Sequence, residues 1–237
     1  MCVSPMAEIG EVFSADGCRC RVVCSLGPDD WTRYYWRACV VNSNLIAVTT
    51  SAGYVEFYSF DGKPMGEIDL YNDRKCLPKE WKEYYPCVAM LDDKTLCAST
   101  TSALLTYDLH EVSSSHGCGT PTSSTPFDDF AEDMVVVVVD GCRRLAVRCK
   151  RSIQLWEVQE AGRGLRMVQR WDGEEDVERL RSQWFANDPR QSWPDLIDAF
   201  GDSGAENCSL RRISEDRLVW INDDSLFIFA ITEGVEE

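Results

Sequence analysis

One string in the sequence places a candidate nucleophile between glycines, at Gly201-Asp202-Ser203-Gly204. A nucleophilic serine needs a histidine within hydrogen-bond distance to accept its proton, and a carboxylate to orient that histidine. The chain has two histidines, His110 in YDLHEV and His116 in SSSHGC. Ser203 therefore has only these two candidate bases.

The same string resembles the nucleophile loop of chymotrypsin-like serine proteases. It is followed by Ala205, where that family has a second glycine, and neither histidine resembles the histidine motif of those proteases. We therefore interpret residues 201–204 as a polar turn after a helix, and we predict that the chain has no catalytic residues.

Three cysteines near the N-terminus could bind a metal. Cys18, Cys20 and Cys24 form a C-x-C-x3-C pattern, which His116 and Cys118 could join. Structural zinc sites favour paired C-x2-C spacings instead. Since alternate residues of a strand face the same side, two buried thiols explain the pattern equally well. We predict neither a metal nor a cofactor.

Whether the remaining cysteines are reduced depends on the cellular compartment of the chain. The N-terminal sequence MCVSPMAEIGEVF has no basic start followed by an apolar stretch, which predicts an intracellular, cytoplasmic chain with reduced thiols. Free cysteine packs in cores as a small hydrophobic residue. We expect Cys39, Cys87, Cys97, Cys142 and Cys149 to face the core.

Residues 172–204 combine a helical pattern with negative charge. Val177, Leu180, Trp184 and Phe185 are spaced to share one face of a helix. A second, shorter helix is predicted to begin at Ser192-Trp193-Pro194-Asp195. From position 172 to 206 the segment holds ten Asp or Glu against three Arg. The pattern predicts an acidic helical insertion.

The insertion supplies the candidate partner-binding residues Trp184, Phe185, Trp193 and Asp195. Large aromatic residues are enriched in interface hot spots. Alternatively, the aromatic side chains pack the insertion onto the rest of the chain, and its acidic outer side meets the partner. The net charge of −16 favours protein subunits with basic surfaces as partners. It disfavours DNA and RNA, because affinity for phosphates comes largely from Lys and Arg. The acidity could also serve solubility alone.

The elements that hold these residues are indicated by four similar stretches. They are RACVVNSNLIAVTTSAGYVEFY, PCVAMLDDKTLCASTTSALLTY, MVVVVVDGCRRLAVRCKRSIQLW and CSLRRISEDRLVWINDDSLFIF. They close on Tyr58, Tyr107, Trp156 and Phe229; the first two steps are equal in length and the third is longer, as an insertion would make it. In three of them a leucine precedes the closing aromatic residue by the same number of positions, at Leu96, Leu145 and Leu218. The first stretch departs from this spacing, which a longer turn at Ser51-Ala52-Gly53 would explain. Such periodicity indicates a repeat architecture.

Each stretch predicts three antiparallel strands. In the third stretch the turn signal Asp140-Gly141 separates two β-rich runs, which is a hairpin pattern. Outer fourth strands are predicted over residues 65–70 and 165–171. One four-stranded sheet per about 40 to 50 residues is typical of a propeller blade.

The strings LIAVTTSAGYVEFYSFDG, RRLAVRCKRSIQLWEV and KTLCASTTSALLTYDL resemble the second and third strands of WD-repeat β-propeller blades. The Trp-Asp dipeptide is missing, with Tyr107-Asp108 and Trp156-Glu157 as its nearest equivalents, and the Gly-His pair is absent. The resemblance implies an all-β propeller of four to five blades, with residues 1–237 as one domain. Residues 172–204 would be an insertion between blades, and residues 113–126, rich in Ser, Thr, Gly and Pro, a mobile loop.

The last repeat lacks an outer strand. We predict that residues 8–26, with a turn at Ala15-Asp16-Gly17, supply two strands that complete this blade and close the ring. The alternative is an open ring that another chain completes.

The resemblance implies a non-catalytic platform, such as an adaptor or structural subunit of a multiprotein complex. One alternative is a hydrolase that uses the central mouth, which needs His, Asp or Glu clustered at the starts of blades. Another is a receptor for acidic or phosphorylated peptides, which needs several Arg on one face. The dense basic cluster is Arg143, Arg144, Arg148, Lys150 and Arg151. Strand alternation would divide it between two faces.

Overall fold

A computed structural model describes residues 12–13, 19–26, 35–71, 86–112, 119–159, 164–185, 209–214, 217–222 and 225–232. The described residues form seventeen strands and two helices. The strands make four antiparallel sheets, and in each of them strands that follow one another along the chain lie side by side.

Sheet 1 contains β3 (Tyr35–Asn42), β4 (Leu45–Thr50), β5 (Tyr54–Ser59) and β6 (Pro64–Asp69). Sheet 2 contains β7 (Val88–Met90), β8 (Thr95–Ser99), β9 (Ala103–Asp108) and β10 (Ser123–Pro126). The short helix α1 (Leu109–Val112) follows β9.

Sheet 3 contains β11 (Ala131–Val139), β12 (Cys142–Cys149), β13 (Ile153–Val158) and β14 (Leu165–Trp171). Helix α2 (Glu174–Trp184) follows it. Sheet 4 contains β15 (Ser209–Ser214), β16 (Arg217–Asn222) and β17 (Ser225–Thr232), together with β1 (Val12–Phe13) and β2 (Arg19–Leu26) from the N-terminal part of the chain.

The register confirms the repeat pattern of the sequence. The three leucines that precede a closing aromatic residue at the common spacing pair directly with it: Leu96 with Tyr107, Leu145 with Trp156 and Leu218 with Phe229. In sheet 1 the partner of Tyr58 is Ile46, so the connection is one residue longer. The predicted outer strands over residues 65–70 and 165–171 are found as β6 and β14.

The longer connection in sheet 1 requires a glycine. Gly53 has a φ of +79°, a conformation that L side chains rarely adopt, and its N–H donates to the carbonyl of Thr50 at 3.0 Å. A Cβ at this position would lie 2.4 Å from the ring of Tyr71. The turn therefore requires glycine at position 53, because the backbone has a positive φ and because the ring of Tyr71 leaves no room for a Cβ.

The sheets pack face to face in the order 4, 1, 2, 3. Sheet 4 meets sheet 1 through a cluster that includes Ile228 and Ile46. The other two clusters join sheet 1 to sheet 2 through Val55 and Leu96, and sheet 2 to sheet 3 through Leu104 and Leu145. Each of these side chains is completely buried. Since successive residues of a strand point to opposite faces, sheets 1 and 2 each contribute to two clusters.

Sheet 4 is completed by the N-terminal part of the chain, as the sequence predicts. Strand β2 pairs antiparallel with β17 over seven residue pairs, from Leu26 opposite Leu226 to Arg19 opposite Thr232. Strand β1 pairs on the other side of β2. The outer strands of sheet 4 thus come from the beginning of the chain and its inner strands from the end.

Two predictions need correction. Residues 123–126 form β10, paired with β9, and not a loop, because Ser123 and Thr122 side chains join the hydroxyl of Thr106 at 2.6 and 2.9 Å. Cys142 is exposed, because it directly follows the turn of the β11–β12 hairpin, beyond the apolar layer. Residues 113–118 lie outside the described residues.

The other cysteine predictions hold, with Cys87, Cys97 and Cys149 buried and Cys39 half-buried. None of these four, nor Cys142, forms a disulfide. Within the described ranges, none of the helices is long and apolar enough to span a membrane.

Alkylation should separate the exposed thiol from the buried ones. Burial raises the pKa of Cys97, and burial and then the charge of Asp129 raise the pKa of Cys149 to about 12. Because the thiolate is the nucleophile, both should resist iodoacetamide at pH 8 in the folded protein. Cys142 should react readily. Peptide mapping by mass spectrometry checks this, and equal modification of Cys142 and Cys149 would contradict the buried position of Cys149.

Candidate partner-binding surface

Sheet 3 has one face toward sheet 2 and one face turned away from it. Leu145, Val147 and Cys149 of β12 belong to the cluster shared with sheet 2. Alternation therefore places Arg148, and Ile153 opposite it on β13, on the other face. We call this the far face of sheet 3.

Helix α2 packs on the far face. Leu180 is only 3% exposed, and the ring of Trp184 lies edge-on to Trp171 of β14, with 5.6 Å between ring centroids. The guanidinium of Arg148 lies 5.9 Å from the ring centroid of Phe185. The apolar face that the sequence predicts for this helix is thus the face that contacts the sheet.

The outer side of α2 is acidic. The exposed carboxylates are Asp172, Glu174, Glu175, Asp176 and Glu178. Two of them pair within the helix, Asp176 with Arg179 at 2.8 Å and Glu178 with Arg181 at 4.0 Å. Within the described part of the chain, Glu174 and Glu175 form no ion pair. Negative charge in the first turn also complements the positive end of the helix dipole.

The start of the α2 segment is tied to sheet 3 by Arg170. Its Nε donates to Asp172 at 2.8 Å, and its Nη2 lies 3.5 Å from Asp129, just before β11. This hydrogen bond to Asp172 raises the pKa of Arg170. Asp129 also accepts hydrogen bonds from Ser152 at 3.2 Å and Gln154 at 3.4 Å. The position of α2 is therefore set at its beginning by polar contacts and along its length by apolar ones.

Of the candidate residues from the sequence, the structure places Trp184 and Phe185 against sheet 3. Trp193 and Asp195 lie outside the described residues, as do His116 and residues 201–204. The sequence analysis did not single out Trp171 or Arg170, and it named Arg148 only as a member of the basic cluster, although their strands were predicted. Their roles depend on which face of β12 and β14 the helix covers.

The arrangement of the sheets decides the fold. Three antiparallel sheets of four strands and one of five pack in the order 4, 1, 2, 3, and sheet 4 includes two strands from the N-terminal part of the chain. The fold is that of a β-propeller. Among solved structures, the WD40 β-propeller domain of Doa1 is similar, with 12% sequence identity and a TM-score of 0.39, over 83% of this chain and 50% of that one.

A second similar structure is Sqt1 from Chaetomium thermophilum, with 13% identity and a TM-score of 0.35, over 81% of this chain and 44% of that one. The chain thus spans about half the length of these two proteins. No protein-family model matches the chain, and no curated protein matches it in sequence.

One end of the propeller's centre is occupied by Trp36 and Arg37 of β3. Trp36 packs into the cluster shared by sheets 2 and 3. The buried guanidinium of Arg37 stacks 4.4 Å from the centroid of that ring, and donates to the carbonyl oxygens of Trp36 at 3.1 Å and Glu132 at 3.3 Å. Cys87 donates to the carbonyl of Ala131 at 3.4 Å. The inner strands β3, β7 and β11 are therefore linked directly at this end.

The basic residues of sheet 3 are divided between the two faces of β12 and the turn that follows it, as strand alternation predicts. Arg148 pairs with Glu132 at 3.5 Å. The pKa of Glu157 is lowered by its hydrogen bond to Arg166 and the charge of Arg166, with a smaller effect of Arg144. Lys150 and Arg151 lie exposed in the turn at the other end of β12. In the described part of sheet 3, no single face gathers them as a receptor for acidic peptides would require.

His110 lies exposed in α1, and its backbone N–H donates to Asp108 at 2.8 Å. Among the residues that the structure describes, no three His, Cys, Asp or Glu side chains are grouped so that they could hold a metal ion.

Proposed function

We propose that this protein is a non-catalytic scaffold, an adaptor or structural subunit of a multiprotein complex, which binds a subunit with a basic surface. The observation that supports this proposal most strongly is the packing of α2 on the far face of sheet 3. The helix is fixed by Leu180, Trp184 and Arg170 while its carboxylates face outward. A fixed acidic surface steers and orients a basic partner, because opposed potentials favour encounter in one orientation.

The centre of the propeller supports a scaffold over a hydrolase. Trp36 packs into the core there and Arg37 donates to the carbonyl of Glu132, so this part of the centre is used for contacts between β3 and β11. The dispersed basic residues of sheet 3 likewise favour a scaffold over a receptor for acidic peptides. Since a fold does not fix a function, the proposal depends on these site features and not on the propeller alone.

Charge reversal on α2 tests the proposal. Glu174→Lys with Glu175→Lys should abolish co-purification of the partner from the native cell, because two exposed carboxylates without ion pairs in the described chain become repulsive. Asp61→Lys with Asp93→Lys is the matched control, since both residues are exposed and belong to sheets 1 and 2. Affinity purification with mass spectrometry is the measurement. A wild-type chain that purifies alone would refute the scaffold, and equal loss in both double variants would refute α2 as the surface.

The aromatic residues of α2 should act on folding rather than on the partner. Trp184→Ala with Phe185→Ala removes the contacts with Trp171 and Arg148, and we expect a loss of about 2 kcal/mol in the free energy of unfolding. For a chain of this size the melting temperature should fall by roughly 4–8 °C. Differential scanning calorimetry checks it. Lost association with an unchanged melting temperature would instead make these residues the interface itself.

A further inference from the structure

The end of α2 lies over one row of residues on the far face of sheet 3. The register places Ile153 of β13 between Arg148 of β12 and Trp171 of β14, and Ile153 is completely buried. Trp184, the last residue of the helix, contacts Trp171 at one end of this row. Phe185, which follows it, lies against Arg148 at the other end. The end of the helix is thus held at two points, on two different strands.

Leu180 and Trp184 alone leave the rotation of the helix about its own axis weakly fixed. They are four residues apart, so they lie on one line along the helix surface. Phe185 lies beside this line, and its contact with Arg148 on β12 adds a second support, roughly 10 Å across the sheet from the support on β14. The rotation of the helix determines in which direction its exposed carboxylates point.

Arg148 is itself held by a carboxylate of β11. Ala131 and Asp133 pair with successive residues of β12, so Glu132 between them is the extra residue of a bulge. The Glu132 carboxylate lies 3.5 Å from Nε of Arg148, whose side chain is 17% exposed. An ion pair at this depth is screened less by salt than a pair on the surface. The guanidinium also places a positive charge near the C-terminal end of α2, where it complements the helix dipole.

We propose that Arg148 is a positioning residue for the acidic surface of α2. Its contact with Phe185 sets the rotation of the helix, and with it the direction of the exposed carboxylates Glu174 and Glu175. The inference rests on the proposed function of α2, since Arg148 acts through the helix and not by contact with the partner. Arg170 restrains the start of the segment, so loss of Arg148 leaves the helix attached but able to rotate at its end.

The rings of Trp171 and Trp184 report the rotation of the helix directly. Their planes meet at 73°, and two tryptophan rings this close give a coupled circular-dichroism signal whose size depends on the angle between them. The difference between wild type and Trp184→Phe isolates the signal of this pair. Because the signal is measured on folded protein, a contact that only adds stability would not change it.

Arg148→Met tests the proposal, because methionine keeps an unbranched apolar side chain on the sheet and removes the cation. We expect loss of about half of the pair signal, as the helix divides between two rotations. The affinity for the partner that co-purifies with wild type should then fall about twofold, because half of the molecules present the carboxylates correctly. Arg148→Lys keeps a cation beside the ring and should restore most of both. Arg166→Met removes an exposed arginine that pairs with Glu157 on the same sheet, and this matched control should behave as wild type.

Two outcomes would overturn the proposal: a pair signal that Arg148→Met leaves at the wild-type level, and a loss that Arg148→Lys reproduces in full. If Arg148→Met does not fold, Glu132→Gln takes its place, and it should lower the signal in the same direction. The reversal of Glu174 and Glu175 separates this inference from the proposed function. If the reversal leaves the partner bound, the proposed function fails. If it releases the partner while Arg148→Met changes neither signal nor affinity, only the positioning role of Arg148 fails.

Discussion

Replacing Cys20 with proline is expected to unfold sheet 4. Cys20 is the second residue of β2 and lies between two strands, opposite Val12 of β1 on one side and Ile231 of β17 on the other. Proline removes the backbone N–H and cannot be accommodated inside a sheet with neighbours on both sides. We expect a loss of about 3 kcal/mol or more in the free energy of unfolding, a large part of the roughly 5–15 kcal/mol that stabilises a domain.

Cys20→Val is the matched control, because it keeps the backbone N–H and has a high propensity for strands. Urea denaturation should give nearly the wild-type midpoint for valine and a much lower one for proline. The pair of variants also decides the alternative of a metal bound by Cys18, Cys20 and Cys24, since loss of a thiolate ligand would make valine as damaging as proline. Wild-type stability of the proline variant would contradict the pairing of β2 with β17.

The strands of the propeller could be predicted because their signals are local. The spacing of Leu145 and Trp156 follows from a fixed connection between two antiparallel strands, and the same connection recurs in sheets 2 and 4. The pair Asp140-Gly141 predicts a turn with positive φ, since few residues other than glycine and asparagine or aspartate adopt positive φ. The completion of sheet 4 by strands from the N-terminal part of the chain could also be inferred, because the last repeat lacks an outer strand.

Features that depend on contacts between residues far apart in the sequence could not be predicted. Asp129, Ser152 and Arg170 are far apart in the sequence, yet they meet because β14 ends beside the loop that precedes β11. The exposure of Cys142 depends on its place directly after the turn of the β11–β12 hairpin, beyond the apolar layer. For residues 123–126 the composition suggested a loop, but side-chain hydroxyls bond across to β9 and stabilise a strand. Composition reports local preference, and tertiary contacts override it.

The centre of the propeller was the least predictable region. Trp36 and Arg37 lie in the string YYWRACVV, where an aromatic residue next to an arginine fits no periodic sequence pattern. Their role requires β3, β7 and β11 to converge, which only the packing order of the sheets determines. A charged residue within a predicted strand is the one signal that could have marked the position, since a buried arginine needs specific acceptors.

Replacing Arg37 with methionine should destabilise the whole propeller, and not only sheet 1. Arg37 is 9% exposed, and its hydrogen bond to the carbonyl of Glu132 links β3 to β11, while a second one binds the carbonyl of Trp36. Hydrogen bonds to charged groups contribute about 1.5–3 kcal/mol each, so we expect the free energy of unfolding to fall by about 3 kcal/mol. Methionine fills most of the volume, which limits the effect of a cavity.

Arg37→Lys and Arg151→Met complete the comparison. Lysine keeps the charge but loses the planar stacking on Trp36 and the fork of donors, so its stability should lie between those of wild type and methionine. Arg151 is exposed, and its replacement should change the free energy of unfolding by about 0.5 kcal/mol at most. Hydrogen exchange locates the effect: with Arg37→Met, protection should fall in β3 and in β11, because the bond joins the two strands. A loss confined to β3 would mean that the inner strands are held together by apolar packing alone.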